Sequence, residues 1–345
     1  MFKSSSGLFS AHKTSIGMNG CSWFKTRTCR HYSKYHPISD ITFKTVLPEG
    51  PVNPQAVPLV ILHGLFGSYM NFSTFARQYS RKYNTKIYLL NLRNHSDPQN
   101  HSSVMNFVAM ASDLDHFMYK QNIQECDLFG FSLGGKTSMA ACLGTDFKSH
   151  VSDRVRKLVV GDISPLPLRD GDWDIPHVMD ALVLLDKQLP QIKTRNEADD
   201  FLKQYISSVE VRSFLLSNLK KNENSQREGL FDWKFNLSGI ASNLSEIADF
   251  PFKTPEIVQE MHNLGYDHVT SYPWTPFEKP TLFLKGETSP LINTKSERTI
   301  RTISTFFPNY NLYQFDGCSH WIHAEKYALF FSKMEEFLEG SVKRE

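Results

Sequence analysis

The stretch Cys126-Asp127-Leu128-Phe129-Gly130-Phe131-Ser132-Leu133-Gly134-Gly135-Lys136-Thr137 constrains this chain more than any other. A short apolar run, Leu128 to Phe131, leads into a serine flanked by glycines. A helix-compatible segment follows from Lys136 to Leu143. The pattern predicts strand, sharp turn and helix, with Ser132 at the bend. Gly-x-Ser-x-Gly in that setting is a nucleophile elbow. A serine that attacks a substrate must stand clear of its own backbone, so it sits in a strained turn. Side chains at Gly130 and Gly134 would collide across that turn. The helix after Ser132 aims its N-terminal amides at the point where negative charge develops. Three fixed positions match by chance about 0.1 times in a chain this long, so the reading depends on partners elsewhere.

The surrounding pattern supplies a frame. Ile41 to Leu47 alternates weakly as an opening strand. Pro58 to Leu62, Lys86 to Leu92 and Lys157 to Gly161 are continuous apolar runs, as expected of strands buried on both faces. Helical spacing runs over residues 71–83, and within Val104 to Asn122 it turns Phe107, Met110, Ala111, Leu114 and Met118 inward. Alternating strands and helices predict crossover units and a mainly parallel sheet, with chemistry beyond the carboxyl ends of the strands. Over residues 165–276 the alternation stops. Helical patterns follow one another at Ile175 to Leu189, Asn196 to Ile206, Val209 to Leu219, Ser238 to Ala248 and Pro255 to Leu264, with one short strand around Trp233 to Leu237. This predicts a helical cap inserted over the sheet. Alternation then resumes with a strand at Pro280 to Lys285, a helix at Lys295 to Phe306, a strand at Asn311 to Phe315 and a final helix at Tyr327 to Phe337.

Composition narrows the class. No apolar run approaches the 18 residues a membrane helix needs. The five cysteines are scattered without a C-x-x-C pair, against a zinc site or disulfide framework. The net charge of +2 gives no reason to expect nucleic acid. No metal site, dinucleotide fingerprint or phosphate loop is present. Charge is nevertheless uneven. Residues 1–39 contain six lysines and arginines, many hydroxyl residues and no acid, which leaves −4 for residues 40–345. That composition predicts a mitochondrial transit peptide or a disordered leader over 1–39 and a folded domain over 40–345.

A nucleophilic serine needs a base, and the base an orienting acid. With this elbow the order along the chain is Ser, then Asp or Glu, then His. His320, in Asp316-Gly317-Cys318-Ser319-His320-Trp321, lies in the loop after the last strand; His323 is its competitor. For the acid, both Asp162 and Glu287 follow strands; Asp316 and Asp153 read as turn and cap residues. Two backbone amides would receive the oxyanion: Leu65, after the strand that ends in His63-Gly64, and Leu133, next to the serine. His63 reads as a loop brace; His95 and His101 either line a site or, as loop histidines more often do, lie on the surface.

Together, His63-Gly64-Leu65-Phe66-Gly67-Ser68 with Asn71-Phe72, Arg93-Asn94-His95, Gly130-Phe131-Ser132-Leu133-Gly134-Gly135-Lys136, Asp162-Ile163-Ser164-Pro165 and Ser319-His320-Trp321 resemble one branch of the α/β-hydrolases. That branch includes small bacterial esterases, mitochondrial hydrolase relatives in animals and the fungal mitochondrial ethanol acetyltransferases. The resemblance covers roughly residues 41–340. It implies Asp162 as the charge relay. With the basic leader, it implies an alcohol acetyltransferase making ethyl acetate from acetyl-CoA and ethanol through an acetyl-serine, with thioesterase and esterase side activity. Acetyl-CoA would be a substrate, and no cofactor is implied. The alternatives are a mitochondrial serine ester or thioester hydrolase without transferase activity, and a catalytically silent binding protein. The chain departs from the branch at Phe131 and Leu133, where relatives often carry His or Met, at Asn91, often Asp, and in extra residues around Thr145 to His150.

Overall fold

Continuous apolar runs become the middle of a sheet because only a strand covered on both faces can bury every side chain. The computed structural model describes residues 38–96, 98–145, 151–168, 174–222, 230–265, 269 and 271–340. The leader expected over 1–39 lies outside them except for residues 38 and 39, and so do the extra residues 146–150. The strands are β1 (Phe43–Val46), β2 (Leu59–Leu62), β3 (Ile87–Leu90), β4 (Cys126–Phe131), β5 (Val155–Gly161), β6 (Leu219–Lys221), β7 (Phe231–Trp233), β8 (Thr281–Gly286) and β9 (Tyr310–Phe315). Seven form one sheet in the order β1-β3-β2-β4-β5-β8-β9. Only β1 runs antiparallel to its neighbour. The short strands β6 and β7 pair separately as an antiparallel ribbon.

Helices α1 (Ser73–Tyr83), α2 (Phe107–Lys120), α3 (Leu133–Leu143) and α4 (Val151–Arg154) connect the first five strands. Between β5 and β8 run α5 (Ile175–Gln188), α6 (Arg195–Leu202), α7 (Val209–Leu216), α8 (Leu237–Ser242), α9 (Leu244–Ala248) and α10 (Pro255–Asn263). Then come α11 (Glu297–Phe306), α12 (Ile322–Glu325) and α13 (Tyr327–Glu339). The two-residue period of each strand splits its side chains between two cores. Val60, Leu62, Leu90 and Leu128 join α2, α3 and the β5–β8 helices. Leu59, Ile61, Leu89 and Phe129 join Phe75 and Tyr79 of α1 and Phe330 and Met334 of α13. The chain is thus a mainly parallel α/β sheet with helices on both faces, as its sequence predicts.

The departures lie in the β5–β8 segment. The helix expected over Ser238 to Ala248 is two, broken at Asn243. The Asn243 side chain accepts from the Met105 N–H (3.1 Å) and donates to the Ser103 and Gly239 carbonyls. Asparagine breaks helices by competing for such backbone partners. The helix expected to reach Leu219 stops at Leu216, because Leu219 is already in the ribbon, opposite Trp233. The strand expected over Trp233 to Leu237 instead ends at Trp233. The helix expected to reach Ile206 ends at Leu202. No described helix is long and apolar enough to cross a membrane.

One buried ion pair ties the loop after β3 to α2. The fully buried Arg93 guanidinium meets Asp113 in a bidentate pair, with Nε and a terminal nitrogen each 2.7 Å from a carboxylate oxygen. It also donates to the carbonyls of Val104 and Ala109. Asp113→Ala strips a buried cation of its carboxylate. It is expected to cost about 3–5 kcal/mol, read as a lower urea midpoint with an unchanged slope.

Candidate active site

Ser132 stands at the bend between β4 and α3 with φ 52° and ψ −114°, in the left-handed half of conformational space. The turn is possible because its flanks are glycine. A Cβ on Gly130 would overlap the Gly134 carbonyl, and one on Gly134 would lie 2.5 Å from the Leu62 carbonyl oxygen. The Ser132 N–H donates to Gly161 at the end of β5, and the Gly134 N–H to His63 at the end of β2. The elbow is therefore stitched to the strands on both sides of it.

His320 and Asp162 meet beside it. The imidazole Nδ1 lies 2.7 Å from Asp162 Oδ2. A carboxylate only accepts, so Nδ1 is the donor, and in the neutral ring Nε2 carries the lone pair. Asp162 is fully buried, and φ 47° turns its carboxylate away from the β5 axis. Its second oxygen accepts from the Gly286 N–H at 2.8 Å. A side chain at Gly286 would overlap the Ser319 carbonyl, so this glycine lets the His320 loop close onto β8. Glu287, the alternative acid, faces elsewhere and accepts from the Gly317 N–H. Asp316 is an exposed partner of Gln314, and Asp153 lies in α4.

Ser132 and His320 line one cavity of about 260 Å³, walled largely by apolar groups that include Leu65, Leu133, Ile163 and Leu291. The N–H groups of Leu65 and Leu133 have no hydrogen-bond acceptor among the described residues. Gly64 presses the first of these loops against the elbow, so that a Cβ there would lie 3.3 Å from Ser132 Cβ. A larger cleft of about 660 Å³ opens around Phe72, Phe214, Trp321 and His323 and contains neither Ser132 nor His320. The larger opening thus lies apart from the serine and the imidazole. Among the described residues no cluster of His, Cys, Asp or Glu is placed to hold a metal ion.

Three other histidines pack into the loops around this cavity, while His101 is exposed, as expected. His63 Nδ1 donates to the Gly64 carbonyl, and Nε2 accepts from the Leu92 N–H. His95, expected on the surface, is buried instead. Its Nε2 accepts from the Phe66 N–H at 3.0 Å, and Nδ1 donates to the Arg93 carbonyl. Its loop turns inward because Asn94 bonds Ser102 across it. His323 packs on Phe72 and Phe131, and Phe131 in turn lies 4.8 Å from the His320 ring. Two buried lysines had no signal beyond their position in the motifs. Lys136 donates to the Leu166, Ala248 and Asp249 carbonyls, and Lys285 to the Gly286, Glu287 and Ser289 carbonyls.

Comparison with known proteins places this geometry among relatives. A profile for the alpha/beta hydrolase fold matches residues 57–327. The chain is 34% identical over 286 residues to "sn-1-specific diacylglycerol lipase ABHD11" of Xenopus laevis, covering 82% of this chain and 80% of that protein. It is 28% identical over 297 residues to "Probable alcohol acetyltransferase" of Saccharomyces cerevisiae, covering 83% and 78%. A solved structure, "Marine microorganism esterase", superposes with a TM-score of 0.67 at 30% identity, covering 87% of this chain and 99% of that one.

Burial holds three histidines neutral, pushing His63 and His323 down to about 3 and His95 down to about 4. The unfolded chain takes up these protons near pH 6.5, so between about pH 6.5 and 4 it binds more than the folded one. Their contribution to stability is complete above pH 6.5. It is lost on acidification by up to about 1.4 kcal/mol per histidine per pH unit. His95→Gln keeps an acceptor for Phe66 but cannot titrate. Its melting temperature should decline less steeply than wild type between pH 6.5 and 4.

Proposed function

The chain belongs to the alpha/beta hydrolase fold family, and within it we propose a serine-dependent acyl-transfer enzyme with Ser132, His320 and Asp162 as its catalytic groups. The observation that carries this is the shared cavity of Ser132 and His320, with Asp162 bonded to the far side of the imidazole. His320 Nε2 takes the hydroxyl proton as Ser132 Oγ attacks the acyl carbon. Asp162 holds the ring and stabilises its charged form. The oxyanion rests on the Leu65 and Leu133 amides, each worth about 3 kcal/mol in the transition state. Collapse expels the alcohol or thiol, which takes the proton from His320, and leaves an acyl-serine. An acceptor then gives its proton to His320 and attacks that ester, regenerating Ser132.

The small apolar cavity fits a short acyl group. A volume of about 260 Å³ is that of roughly nine water-sized groups. The reaction we favour is acetyl transfer from acetyl-CoA to ethanol, giving ethyl acetate, with thioester and ester hydrolysis when water is the acceptor. Its support is the yeast relative named as an alcohol acetyltransferase. The segment between β5 and β8 then acts as the cap that orders the acceptor: Leu168, Asp174, Ile175 and Ile247 reach the cavity from it. The second reading is an ester or thioester hydrolase without transferase activity. It is favoured by the higher identity to the proteins named as a lipase and an esterase. We place the enzyme in mitochondria on the acid-free, basic composition of residues 1–39.

Purified protein lacking residues 1–34, given acetyl-CoA and ethanol, should yield ethyl acetate by gas chromatography, and Ser132→Ala none. Free CoA and acetate without the ester would leave the hydrolase reading. Asp162→Asn should lower kcat by about 10³–10⁴-fold, and Glu287→Gln by less than about twofold. Equal losses in the two would remove Asp162 from its role. A reporter fused to residues 1–39 that stays outside mitochondria would withdraw the location.

A further inference from the structure

The turn that carries the amide proposed as first oxyanion donor is not held by its own residues alone. Gly64 to Gly67 closes through the Gly67 N–H and Gly64 carbonyl at 3.0 Å. Phe66 fills the third position with φ 58°, a conformation such turns reserve for glycine or asparagine. A phenylalanine stays there only if its surroundings over-determine it. Three contacts do so. The Phe66 N–H donates to His95 Nε2, the Phe66 carbonyl accepts from Asn218 Nδ2 at 2.9 Å, and the ring lies 5.3 Å from Phe235.

Two of these three contacts come from one place. Asn218 immediately precedes β6, and Phe235 follows β7 by two residues. The ribbon base is closed by the Lys234 N–H donating to the Asn218 carbonyl. Asn218 is 6% exposed, so its amide is committed to this contact and to the Phe214 carbonyl. The third contact depends on the same ribbon at one remove. Asn236 donates through its N–H and its side chain to Asn94, beside His95. Trp233 stacks on Phe235 and donates to Asp186 of α5, fixing the ribbon to the helical segment.

The geometry points to the base of the β6–β7 ribbon as the device that sets the oxyanion loop, with Asn218 as a positioning residue. It touches no reacting atom and acts through the Phe66 carbonyl, one residue beyond the Leu65 amide. This rests on the reading of Ser132 as nucleophile and of Leu65 as oxyanion donor. Without Asn218 the Phe66–Gly67 peptide loses its outer anchor. Phe66 can then relax from its positive φ toward the ordinary turn, pulling on the peptide after Leu65 that only His95 still holds. The Leu65 N–H then loses its fixed aim, and transition-state stabilisation falls while ground-state binding does not.

The test is the rate of phosphonylation by a fluorophosphonate probe, whose phosphoryl oxygen occupies the oxyanion position and which needs no knowledge of the natural substrate. Asn218→Ala and the isosteric Asn218→Asp, which presents only acceptors to the Phe66 carbonyl, should lower kinact at least about tenfold. KI should stay within about twofold, with both variants folded at the assay temperature. Wild-type kinact in either folded variant overturns the proposal. So does a loss that tracks the melting temperature, or one confined to KI. Ser132→Ala is run alongside. If it still labels, the serine reading itself fails, whatever the Asn218 variants do.

Discussion

Backbone packed directly on backbone at the elbow is the constraint on which the rest depends. Gly130, Gly134 and Gly64 remove three side chains where β2, β4 and α3 converge; carbonyl oxygens occupy the space that Cβ atoms would need at the first two, and the Phe131 and Ser132 side chains close on the third. The gain is rigidity. The Ser132 backbone holds an unfavourable conformation because its neighbours leave it no other. The same convergence puts the end of β2 against Ser132. The two loops proposed to receive an oxyanion therefore meet through this packing, while the β6–β7 ribbon holds the far side of the first.

Much of this was legible in the residues. The strands of a parallel sheet are buried on both faces, so β2, β3 and β4 announce themselves as unbroken apolar runs. Ser132 and His320, which share one cavity, are singled out by motif and chain order. The acid proposed to join them was not separable in that way, because Asp162 and Glu287 each follow a strand. What separates them is Gly286, whose bare N–H bonds one Asp162 oxygen and whose missing side chain admits the Ser319 carbonyl. That is a fact about space, and no spacing rule contains it. His95 was misjudged for a related reason. A polar loop reads as surface, but this one closes over itself through Asn94 and Asn100 and turns the imidazole inward. Of the ribbon only the second strand left a trace, displaced to Trp233 to Leu237, because strands of three residues carry almost no periodicity.

Polar groups buried around the site share a pattern. His63, His95, Lys136 and Lys285 each bond main-chain groups of loops at the carboxyl ends of strands. Each gives up hydration to do so, and such exchanges add little net stability. Their return is definition: loops without regular structure have few bonds of their own, and a buried side chain with several main-chain partners specifies one arrangement among many.

Lys136 extends this beyond the site. Its ammonium is held on one side by Leu166, where the chain leaves β5 for the helical segment. On the other side are Ala248 and Asp249, late in that segment. A single side chain on the helix that follows Ser132 thus staples the way in to the way back. Domain grafting would meet this as a rule about where to cut. An exchange of the interior between residues 175 and 240 leaves all three carbonyls in place and inherits the anchor. An exchange from 165 to 276 replaces all three and has to bring equivalent carbonyls to the ammonium. Separate histories for this region and the sheet would then require that every successful replacement bring its own carbonyls to the same lysine.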